Sequence, residues 1–477
     1  MLAQALPVIP PAPKVHAKDL PPLRHLLTAQ RNSLEIFPSY AFEVPLARRR
    51  LLGIDAVLVN DPAGVRHVLA ANAANYVRPT FTPRVVRPLI GDGLFLAEGG
   101  PWRQQRRLLS PVFTPHNVGA LLPHFTAAAD ALVAGLERAP VADLSAAFQD
   151  ATLEAVLRAL FSMPDSEQRA KIGVMVRSYV TGPGRPNILD VLARTEDALS
   201  FASAKRRAFQ RAWFANVDEI VAERGRMPSG SSHRDLLDLL LAARDAETGE
   251  VLSPAEVRDQ CATMIFGGFE TTARMLFWAC YLLTLDPAEQ ERLRAEVSGF
   301  PPDCVTTLDH LERWPRLRMT LLEALRLYPP VAHIVREAIA DDEILGEPVH
   351  ARGQIWVSPW VMHRHRKLWE QPTAFMPERF AGKASPWTAN AAYLPFGSGP
   401  RTCIGATFAM CEAQIMLAKL LNRYRISCDD PRPVLPVARV TIEPSFAPMF
   451  QLEKISSGPG KRHAHARHAI DHNATRR

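Results

Sequence analysis

Hydrophobic residues recur at helical spacing through most of the middle of the chain, and the clearest of these patterns begins at Ser253. Ser253-Pro-Ala-Glu256 combines a serine N-cap, a proline at the first helical position and a glutamate that closes a capping box. The pattern predicts a helix to about Leu285, where Asp286-Pro-Ala-Glu289 starts another helix in the same way. A helix of about 32 residues is roughly 48 Å long, so it must cross the whole molecule.

Composition and charge exclude several classes of protein. The 477 residues are 47% hydrophobic, which is enough for a full core. The six cysteines are dispersed without a CxxC pair, so we expect a reducing, cytoplasmic location. More than half of the formal charge of +7 comes from residues 461–477, and no aromatic-basic interleaving indicates nucleic-acid binding. We also expect no secretory leader and no transmembrane segment, since no apolar run reaches about 18 to 20 residues.

The most informative segment is Phe396-Gly-Ser-Gly-Pro-Arg401-Thr-Cys403-Ile-Gly405. It places one cysteine in a glycine-rich loop just before a helix that the pattern predicts over 406–424. Free backbone N–H groups at a helix start favour a thiolate, which can ligate a metal, and Arg401 could hold a carboxylate. The alternative is a surface turn with an incidental cysteine. Read as Phe-Gly-x-Gly-x-Arg-x-Cys-x-Gly, the segment resembles the haem-ligand signature of the cytochrome P450 family.

The middle of the long helix carries Gly267-Gly-Phe-Glu270-Thr271-Thr272. Each glycine costs about 1 kcal/mol relative to alanine, so the pair needs a reason, which could be close helix packing alone. The acid and the hydroxyls beside them can bind backbone carbonyls or water. The segment resembles the oxygen-activation motif of the same family. The resemblance implies that Gly267 and Gly268 leave room for dioxygen, that Thr271 donates a hydrogen bond to oxygen, and that Glu270 relays protons.

Other residues resemble the family's contacts to the two haem propionates. Trp102 and Arg106 are four residues apart, hence on one face of a helix, although a packed tryptophan beside a solvated arginine would give the same pattern. The resemblance implies that Trp102, Arg106, Arg401 and His333 contact the propionates. Phe396 opens the cysteine loop and belongs to the predicted haem-binding residues, and Cys403 is the predicted iron ligand.

Glu323-Ala-Leu-Arg326 is an ion pair of low specificity on its own. It gains weight from the later segment Phe375-Met-Pro-Glu-Arg379-Phe380, because the family joins such elements in a buried three-charge cluster. Breaking a buried network costs about 3 to 5 kcal/mol, so we expect substitution of Arg379 to abolish haem incorporation. The pair His363 and His365 lacks a nearby acid or thiol, which favours a scaffold role over a metal site.

The resemblance implies a mainly α (α+β) fold, the cytochrome P450 fold, with a large helical domain and small β-sheets around a buried haem b. The predicted domains are a Pro-rich N-terminal lead-in over 1–39, the haem domain over 40–455 and a basic, His-rich disordered tail over 456–477. Candidate strands are Phe42 to Leu46, Ala56 to Asn60, His333 to Ile339 and Gln354 to Trp360.

The function implied is a haem-thiolate monooxygenase that inserts one oxygen atom of O₂ into a hydrophobic small molecule. The electrons would come from a ferredoxin and its NAD(P)H-dependent reductase, because the haem domain uses nearly the whole chain. Two alternatives remain, a peroxide-driven peroxygenase and a non-oxygenating haem-thiolate isomerase or haem-binding protein. The intact pair of Glu270 and Thr271 favours the monooxygenase.

Two further hypotheses concern surfaces of the predicted domain. By resemblance the substrate pocket would draw on residues 78–96, 264–271, 331–335 and 445–449, which are mostly apolar and suggest a lipid, a terpenoid or a similar hydrophobe. A basic face could receive an acidic electron carrier, although a solvated helix face fits equally well. Its members would be Arg103, Arg107, Lys419 and Arg423.

Overall fold

The computed structural model describes residues 7–51, 53–163, 166–226, 235–382 and 386–455. The predicted disordered tail, residues 456–477, lies outside the described residues. Most of the described chain is helical, which confirms the predicted mainly α fold. The helices in chain order are α1 (Pro22–Arg31), α2 (Pro62–Arg66), α3 (Phe81–Ile90), α4 (Gly99–Leu109), α5 (Pro115–Ala120), α6 (Leu122–Leu136), α7 (Leu144–Phe161), α8 (Ser166–Thr181), α9 (Ile188–Leu192), α10 (Ser203–Gly225), α11 (Leu236–Ala242), α12 (Pro254–Leu285), α13 (Pro287–Gly299), α14 (Pro315–Leu327), α15 (Pro359–Met362), α16 (Pro386–Ala389) and α17 (Ala406–Arg423).

Helix α12 is the predicted long helix, and its bounds agree with the sequence pattern. The Ser253 hydroxyl accepts the N–H of Glu256 at 3.3 Å, and the Glu256 carboxylate accepts the N–H of Ser253 at 2.8 Å, which closes the capping box. Residues 275–283 are buried on every face, as expected for a helix in the centre of a large domain. The helix packs against α3, α7, α10, α14 and α17, so it supports most of the molecule.

The strands form small sheets at the margins of the helical body. The strands are β1 (Leu46–Leu51), β2 (Ile54–Val59), β3 (Tyr76–Val77), β4 (Val141–Ala142), β5 (Ile334–Ala338), β6 (Asp342–Ile344), β7 (Glu347–Val349), β8 (Gln354–Val357), β9 (Tyr424–Ser427), β10 (Pro436–Ala438), β11 (Ile442–Pro444) and β12 (Phe450–Lys454). The largest sheet has the order β1-β2-β8-β5-β3, in which β2 and β8 run parallel and the other neighbours antiparallel. A three-stranded sheet has the order β4-β12-β9, and β6-β7 and β10-β11 are hairpins.

One of the predicted strands is wrong. Residues 39–42 form a 3₁₀ turn, and the first strand begins only at Leu46, so Phe42 to Leu46 is not a strand. The true strand reads LARRRL and lacks an alternating pattern because it is the edge of its sheet. Its Arg48 pairs with Asp55 of β2, so the strand is held by polar contacts that a hydrophobic pattern does not detect.

The described part of the N-terminal lead-in packs on the rest of the protein. Leu34 and Ile36 are buried in the same core as Phe42, and the carbonyl of Val8 accepts the N–H of Phe375 at 2.8 Å. The Asn32 side chain donates to the carbonyl of Pro436 at 3.0 Å. The packing therefore continues across the boundary predicted at residue 40. No helix within the described residues has the length and hydropathy of a membrane span.

Candidate active site

The loop that carries Cys403 is shaped by two glycines with positive φ. Gly397 has φ +72° and Gly399 has φ +70°, and a Cβ on Gly399 would lie 2.0 Å from the carbonyl oxygen of Leu69. The N–H of Cys403 donates to the carbonyl of Phe396 at 2.8 Å, which closes the loop upon itself. Helix α17 begins three residues after Cys403, as the sequence predicts. The loop therefore holds the cysteine at a fixed place at the head of a helix.

The Cys403 thiol faces an interior cavity of about 480 Å³. The residue has accessible surface, but this surface lies deep within the fold because it opens onto the cavity. Burial raises the pKa of the thiol, while a hydrogen bond from Gly405 and the charge of Arg106 lower it. Burial is the largest of these effects, so the helix start alone does not make a thiolate. A metal cation at the sulfur would do so, because a coordinating thiol is deprotonated.

Helix α12 forms another part of the cavity wall through Gly267, Gly268 and Thr271. The two glycines differ in their surroundings. A Cβ on Gly267 would meet no atom within 4 Å, whereas a Cβ on Gly268 would lie 2.6 Å from Cγ2 of Val156 on α7. Gly267 therefore keeps space open in the cavity, and Gly268 permits close helix packing. The Thr271 hydroxyl donates to the carbonyl of Gly267 at 2.6 Å.

Glu270 points away from this cavity into a buried polar network. Its carboxylate accepts hydrogen bonds from Gln149 at 2.8 Å, from Arg274 at 2.7 Å and from Thr441 at 3.2 Å. Arg274 also donates to Ser145 at 2.7 Å. The network joins α7, α12 and the residue before β11, and Glu270 is its only member that was among the predicted site residues. Glu270 is thus next to Thr271 in sequence, but it is not one of the described residues that line the cavity.

A cationic wall, formed by Arg78, Arg336 and Arg401, lines the cavity near Cys403. Arg78 donates to Glu98 at 2.8 Å, and Arg401 also pairs with Glu98. Burial and the repulsion between these arginines lower the pKa of Arg336 to about 9 and that of Arg401 to about 10. Of Arg78, Glu98, Arg336 and Arg401, only Arg401 was among the predicted haem contacts, whereas Arg78 was predicted as part of the substrate pocket.

The charge of this wall fits the two propionates of haem. Three guanidinium groups face one carboxylate, and within the described residues Arg336 has no carboxylate partner, so two positive charges are left without partners inside the protein. Buried charges are normally paired, and a ligand with two carboxylates would supply what is missing. Arg336 lies in the middle of a predicted strand, and a charged residue at such a position is unusual. This signal could have identified Arg336 from the sequence as a candidate site residue.

The remaining predicted haem contacts also line the cavity, namely Trp102, Arg106, His333 and Phe396. The Arg401 guanidinium lies 4.5 Å from the centre of the Trp102 ring. Arg106 donates to the carbonyl of Thr402 at 3.1 Å, next to Cys403. Both ring nitrogens of His333 are engaged, one with Ser33 at 3.0 Å and the other with Ser358 at 3.2 Å. Burial lowers the pKa of His333 to about 4, so the ring is neutral.

The structure brings together the predicted charge cluster of Glu323, Arg326 and Arg379. Glu323 and Arg326 have no exposed surface, and they share two hydrogen bonds of 2.8 Å. Arg326 also donates to three backbone carbonyls, and Arg379 donates to the Glu323 carboxylate at 3.0 Å. The cluster therefore ties α14 to the segment around residues 363–379.

His363 connects this cluster to the cysteine loop. Its Nε2 accepts the N–H of Leu394 at 2.7 Å, so Nδ1 carries the proton and donates to the carbonyl of Arg326 at 3.1 Å. Burial lowers the pKa of this ring well below its ordinary value. His365 contacts the carbonyl of Val44. In the described chain no group of three His, Cys, Asp or Glu side chains is placed to hold a metal.

The basic face predicted for an electron carrier is largely neutralised. Lys419 is buried, and its ammonium binds Asp130 and Asp303. Arg107 pairs with Asp245 at 2.8 Å, and Arg423 pairs with Glu137 at 3.0 Å. The predicted face is therefore wrong at Lys419, because the lysine stem lies inside the protein rather than on its surface.

Three of the four segments predicted to form the substrate pocket line this cavity. Phe81 and Phe95, Met264, and Val331 come from these segments and line the cavity. In the described part of the chain, residues 445–449 contribute nothing to the lining. Other apolar residues, which were not predicted from the sequence, also line the cavity. These are Phe113, Leu160 and Leu236.

Comparison with known proteins identifies the family. The cytochrome P450 family model matches residues 20–445. The chain is 32% identical over 402 residues to cytochrome P450 4A10 of Mus musculus, covering 78% of this chain and 76% of that protein. It is 30% identical over 413 residues to cyclooctatin synthase of Streptomyces melanosporofaciens, covering 85% and 88%. Cyclooctat-9-en-7-ol 5-monooxygenase of the same organism is 30% identical over 423 residues, covering 86% and 88%.

Solved structures agree with these sequence relatives. The cytochrome P450DA haem domain has a TM-score of 0.74 at 25% identity, and the match covers 94% of this chain and 98% of that one. A second cytochrome P450, CYP102L1, has a TM-score of 0.78 at 24% identity and covers 93% and 100%. The chain therefore belongs to the cytochrome P450 family, and it is a cytochrome P450 monooxygenase whose cofactor is haem b.

Proposed function

We propose that this monooxygenase inserts one oxygen atom of O₂ into a hydrophobic small molecule of the lipid or terpenoid class. The observation that carries the proposal is the single cavity in which Cys403 and Thr271 share a wall with apolar side chains. Phe81, Leu160 and Met264 would bury such a substrate without hydrogen bonding to it. The name of one similar protein, cyclooctat-9-en-7-ol 5-monooxygenase, supports a hydrophobic alcohol as one candidate substrate.

Cys403 would hold the haem iron, and the cationic wall would hold the propionates. Bound haem supplies a thiolate-ligated iron at which dioxygen is reduced and its O–O bond is cleaved. The propionates would give Arg336 the carboxylate partner that it lacks, and they would add negative charge beside Arg78 and Arg401, which share Glu98. Trp102 and Arg106 line the same cavity. His333 already has both ring nitrogens engaged, so any contact with a propionate would replace a bond to a serine hydroxyl.

Thr271 and Glu270 would supply hydrogen bonds and protons. The Thr271 hydroxyl faces the cavity and can exchange its bond to the Gly267 carbonyl for a bond to a group in the cavity. Glu270 is held by Gln149 and Arg274 in the next layer, where its carboxylate can take up and release protons through its hydrogen-bonded neighbours. Insertion of one oxygen atom uses two electrons and two protons and releases water.

The electrons would come from a ferredoxin and its NAD(P)H-dependent reductase. NAD(P)H gives up two electrons together, and an iron–sulfur carrier delivers them singly. A cytoplasmic location is part of the same proposal, and the six free thiols of the structure support it.

The test uses the haem-loaded full chain with ferredoxin, reductase, NAD(P)H and isotopically labelled dioxygen. Candidate hydrophobes are first screened for a shift of the haem Soret band, and those that bind are incubated with the complete system. We expect labelled oxygen in the product, and no product with peroxide alone. Product formed with peroxide alone would indicate a peroxygenase, and an unlabelled isomer formed without oxygen would indicate an isomerase. Cys403→Ala is the matched inactive control.

A further inference from the structure

Glu98 is an acid bound to the cationic wall, and the proposed mechanism gives it no role. One carboxyl oxygen accepts a hydrogen bond from the Arg78 guanidinium at 2.8 Å and another from the Arg78 backbone N–H at 3.3 Å. The other carboxyl oxygen binds the guanidinium of Arg401. Glu98 therefore joins the segment before α3 to the cysteine loop, two parts of the chain that are distant in sequence.

The position of Glu98 is fixed by the start of α4. Glu98 is the N-cap residue of this helix, and its carbonyl accepts the N–H of Trp102 at 3.3 Å. Its side chain makes no capping hydrogen bond within the described structure and extends to the two arginines instead. Each arginine also lies against an aromatic ring, Arg78 at 4.7 Å from the centre of Phe95 and Arg401 at 4.5 Å from the centre of Trp102. Both guanidinium groups are thus held in place before any ligand binds.

The net charge of the cationic wall depends on this one carboxylate. Within the described residues no other acid pairs with Arg78, Arg336 or Arg401. With Glu98 present, the wall carries an excess of two positive charges, which two propionates would balance. Without it, one further positive charge would remain beside the haem.

A charge at this place acts on the haem iron. Reduction of the iron adds one electron, so a nearby positive charge favours the reduced state and a nearby negative charge favours the oxidised state. The side chains of Arg78 and Arg401 are only 10% and 13% exposed, so water screens their charges weakly. Glu98 is 32% exposed and reaches the cavity only through these two arginines, since it is not among the described residues that line it.

We infer that Glu98 is a positioning residue that keeps the reduction potential of the haem low by neutralising one positive charge of the cationic wall. The inference rests on the proposed placement of the haem propionates against this wall. Glu98 itself gains and loses no electron and no proton in this role. It acts by fixing Arg78 and Arg401 and by offsetting part of their charge.

Anaerobic potentiometric titration of the haem-loaded full chain, followed by the Soret band, tests the inference without using activity. Glu98→Gln should have a higher midpoint potential than the wild type, and Glu98→Asp, which keeps the charge, should stay close to the wild type. Glu453→Gln is the control for the loss of one acid elsewhere, because Glu453 is an exposed partner of Arg425 and does not line the cavity. An unchanged potential in Glu98→Gln would overturn the inference.

A double variant separates an effect of charge from a loss of structure. Arg78→Gln alone removes one positive charge from the wall, so its potential should fall below that of the wild type. The double variant Arg78→Gln/Glu98→Gln has the original net charge, so its potential should return towards the wild-type value. A purely structural role of Glu98 would instead make the double variant at least as perturbed as the single ones. The Arg78→Gln potential still decides the matter if Glu98→Gln does not retain haem, because a potential that does not fall would overturn the inference.

Arg336→Gln tests the placement of the propionates on its own. Arg336 lines the cavity and has no carboxylate partner among the described residues, so its replacement should lower the potential whatever Glu98 does. A shift in Arg336→Gln without a shift in Glu98→Gln would overturn only the role of Glu98. The absence of a shift in both variants would overturn the proposed placement of the propionates as well.

The consequence for electron entry follows from the potential. With ferredoxin, reductase and NAD(P)H but no substrate, Glu98→Gln should be reduced faster than the wild type and should consume more NAD(P)H. Equal consumption despite a raised potential would refute this consequence. If the wild type accepts no electrons from these partners, the proposed electron source fails, whereas the potentiometric result still decides the role of Glu98.

Discussion

Replacement of Arg326 by leucine is expected to destabilise the protein more than replacement of Arg379 by leucine. Arg326 has no exposed surface and makes two hydrogen bonds to the Glu323 carboxylate. It also donates to the carbonyls of His363 at 2.7 Å, Pro372 at 2.6 Å and Ala374 at 2.9 Å. The leucine variant would leave all three carbonyls without this donor and the carboxylate without its closest cation.

The magnitudes follow from what each variant leaves behind. Breaking a buried ion pair by removing one partner costs about 3 to 5 kcal/mol, which is a large part of a total stability of about 5 to 15 kcal/mol. The Arg379→Leu variant keeps both hydrogen bonds between Glu323 and Arg326. It loses one hydrogen bond to the Glu323 carboxylate, and such a charged hydrogen bond contributes about 1.5 to 3 kcal/mol. The other two bonds of Arg379 go to exposed backbone carbonyls and add little.

Urea unfolding of the haem-loaded variants, followed by circular dichroism and by Soret absorbance, measures this order. We expect the lowest midpoint and the greatest loss of haem for Arg326→Leu. The Arg379→Leu variant should still bind haem but unfold at a lower urea concentration than the wild type. This expectation replaces the one from the sequence, that substitution of Arg379 abolishes haem incorporation. Arg425→Gln, which removes only exposed ion pairs, is the control and should match the wild type. An Arg379→Leu midpoint at or below that of Arg326→Leu would refute the reasoning.

Further expected outcomes concern the cavity wall and the buried histidines. Thr271→Ala should keep the thiolate-ligated spectrum but lower the product per NAD(P)H consumed, and an unchanged yield would remove Thr271 from the mechanism. Gly268→Ala should lower the midpoint of thermal unfolding, because the new methyl group would lie 2.6 Å from Val156. Gly267→Ala should lower it less, because its methyl group would meet no atom within 4 Å. Equal midpoints would contradict this packing. The free energy of unfolding should fall as pH drops from 6.5 towards 4, because His333 stays neutral when folded but takes up a proton on unfolding. His333→Asn should flatten this slope, and an equal slope would exclude His333 as a cause.

Features set by neighbouring residues were predictable from sequence. The capping box of α12 depends on Ser253 and Glu256, and the ion pair of Glu323 and Arg326 depends on a spacing of three residues. The cationic wall was not predictable in the same way. Arg78 and Arg336 are 258 positions apart, and only the pairing of β3 with β5 brings their segments together. Local patterns determine elements, whereas charge balance in a cavity depends on contacts between distant elements.

Helix α17 shows how side-chain length decides what a buried charge becomes. Glu412 and Lys419 are seven residues apart, which is about two turns, so they lie on nearly the same face. The lysine stem is long enough to carry its ammonium to Asp130 and Asp303, both of which are exposed. The shorter glutamate stem reaches no cation among the described residues. Burial therefore raises the pKa of its carboxyl well above the ordinary range, opposed only by the Thr272 hydroxyl, and favours the protonated form. Two ionisable residues on one helix face therefore have different states. Lys419 forms ion pairs at the surface, and Glu412 is a buried acid in its neutral form.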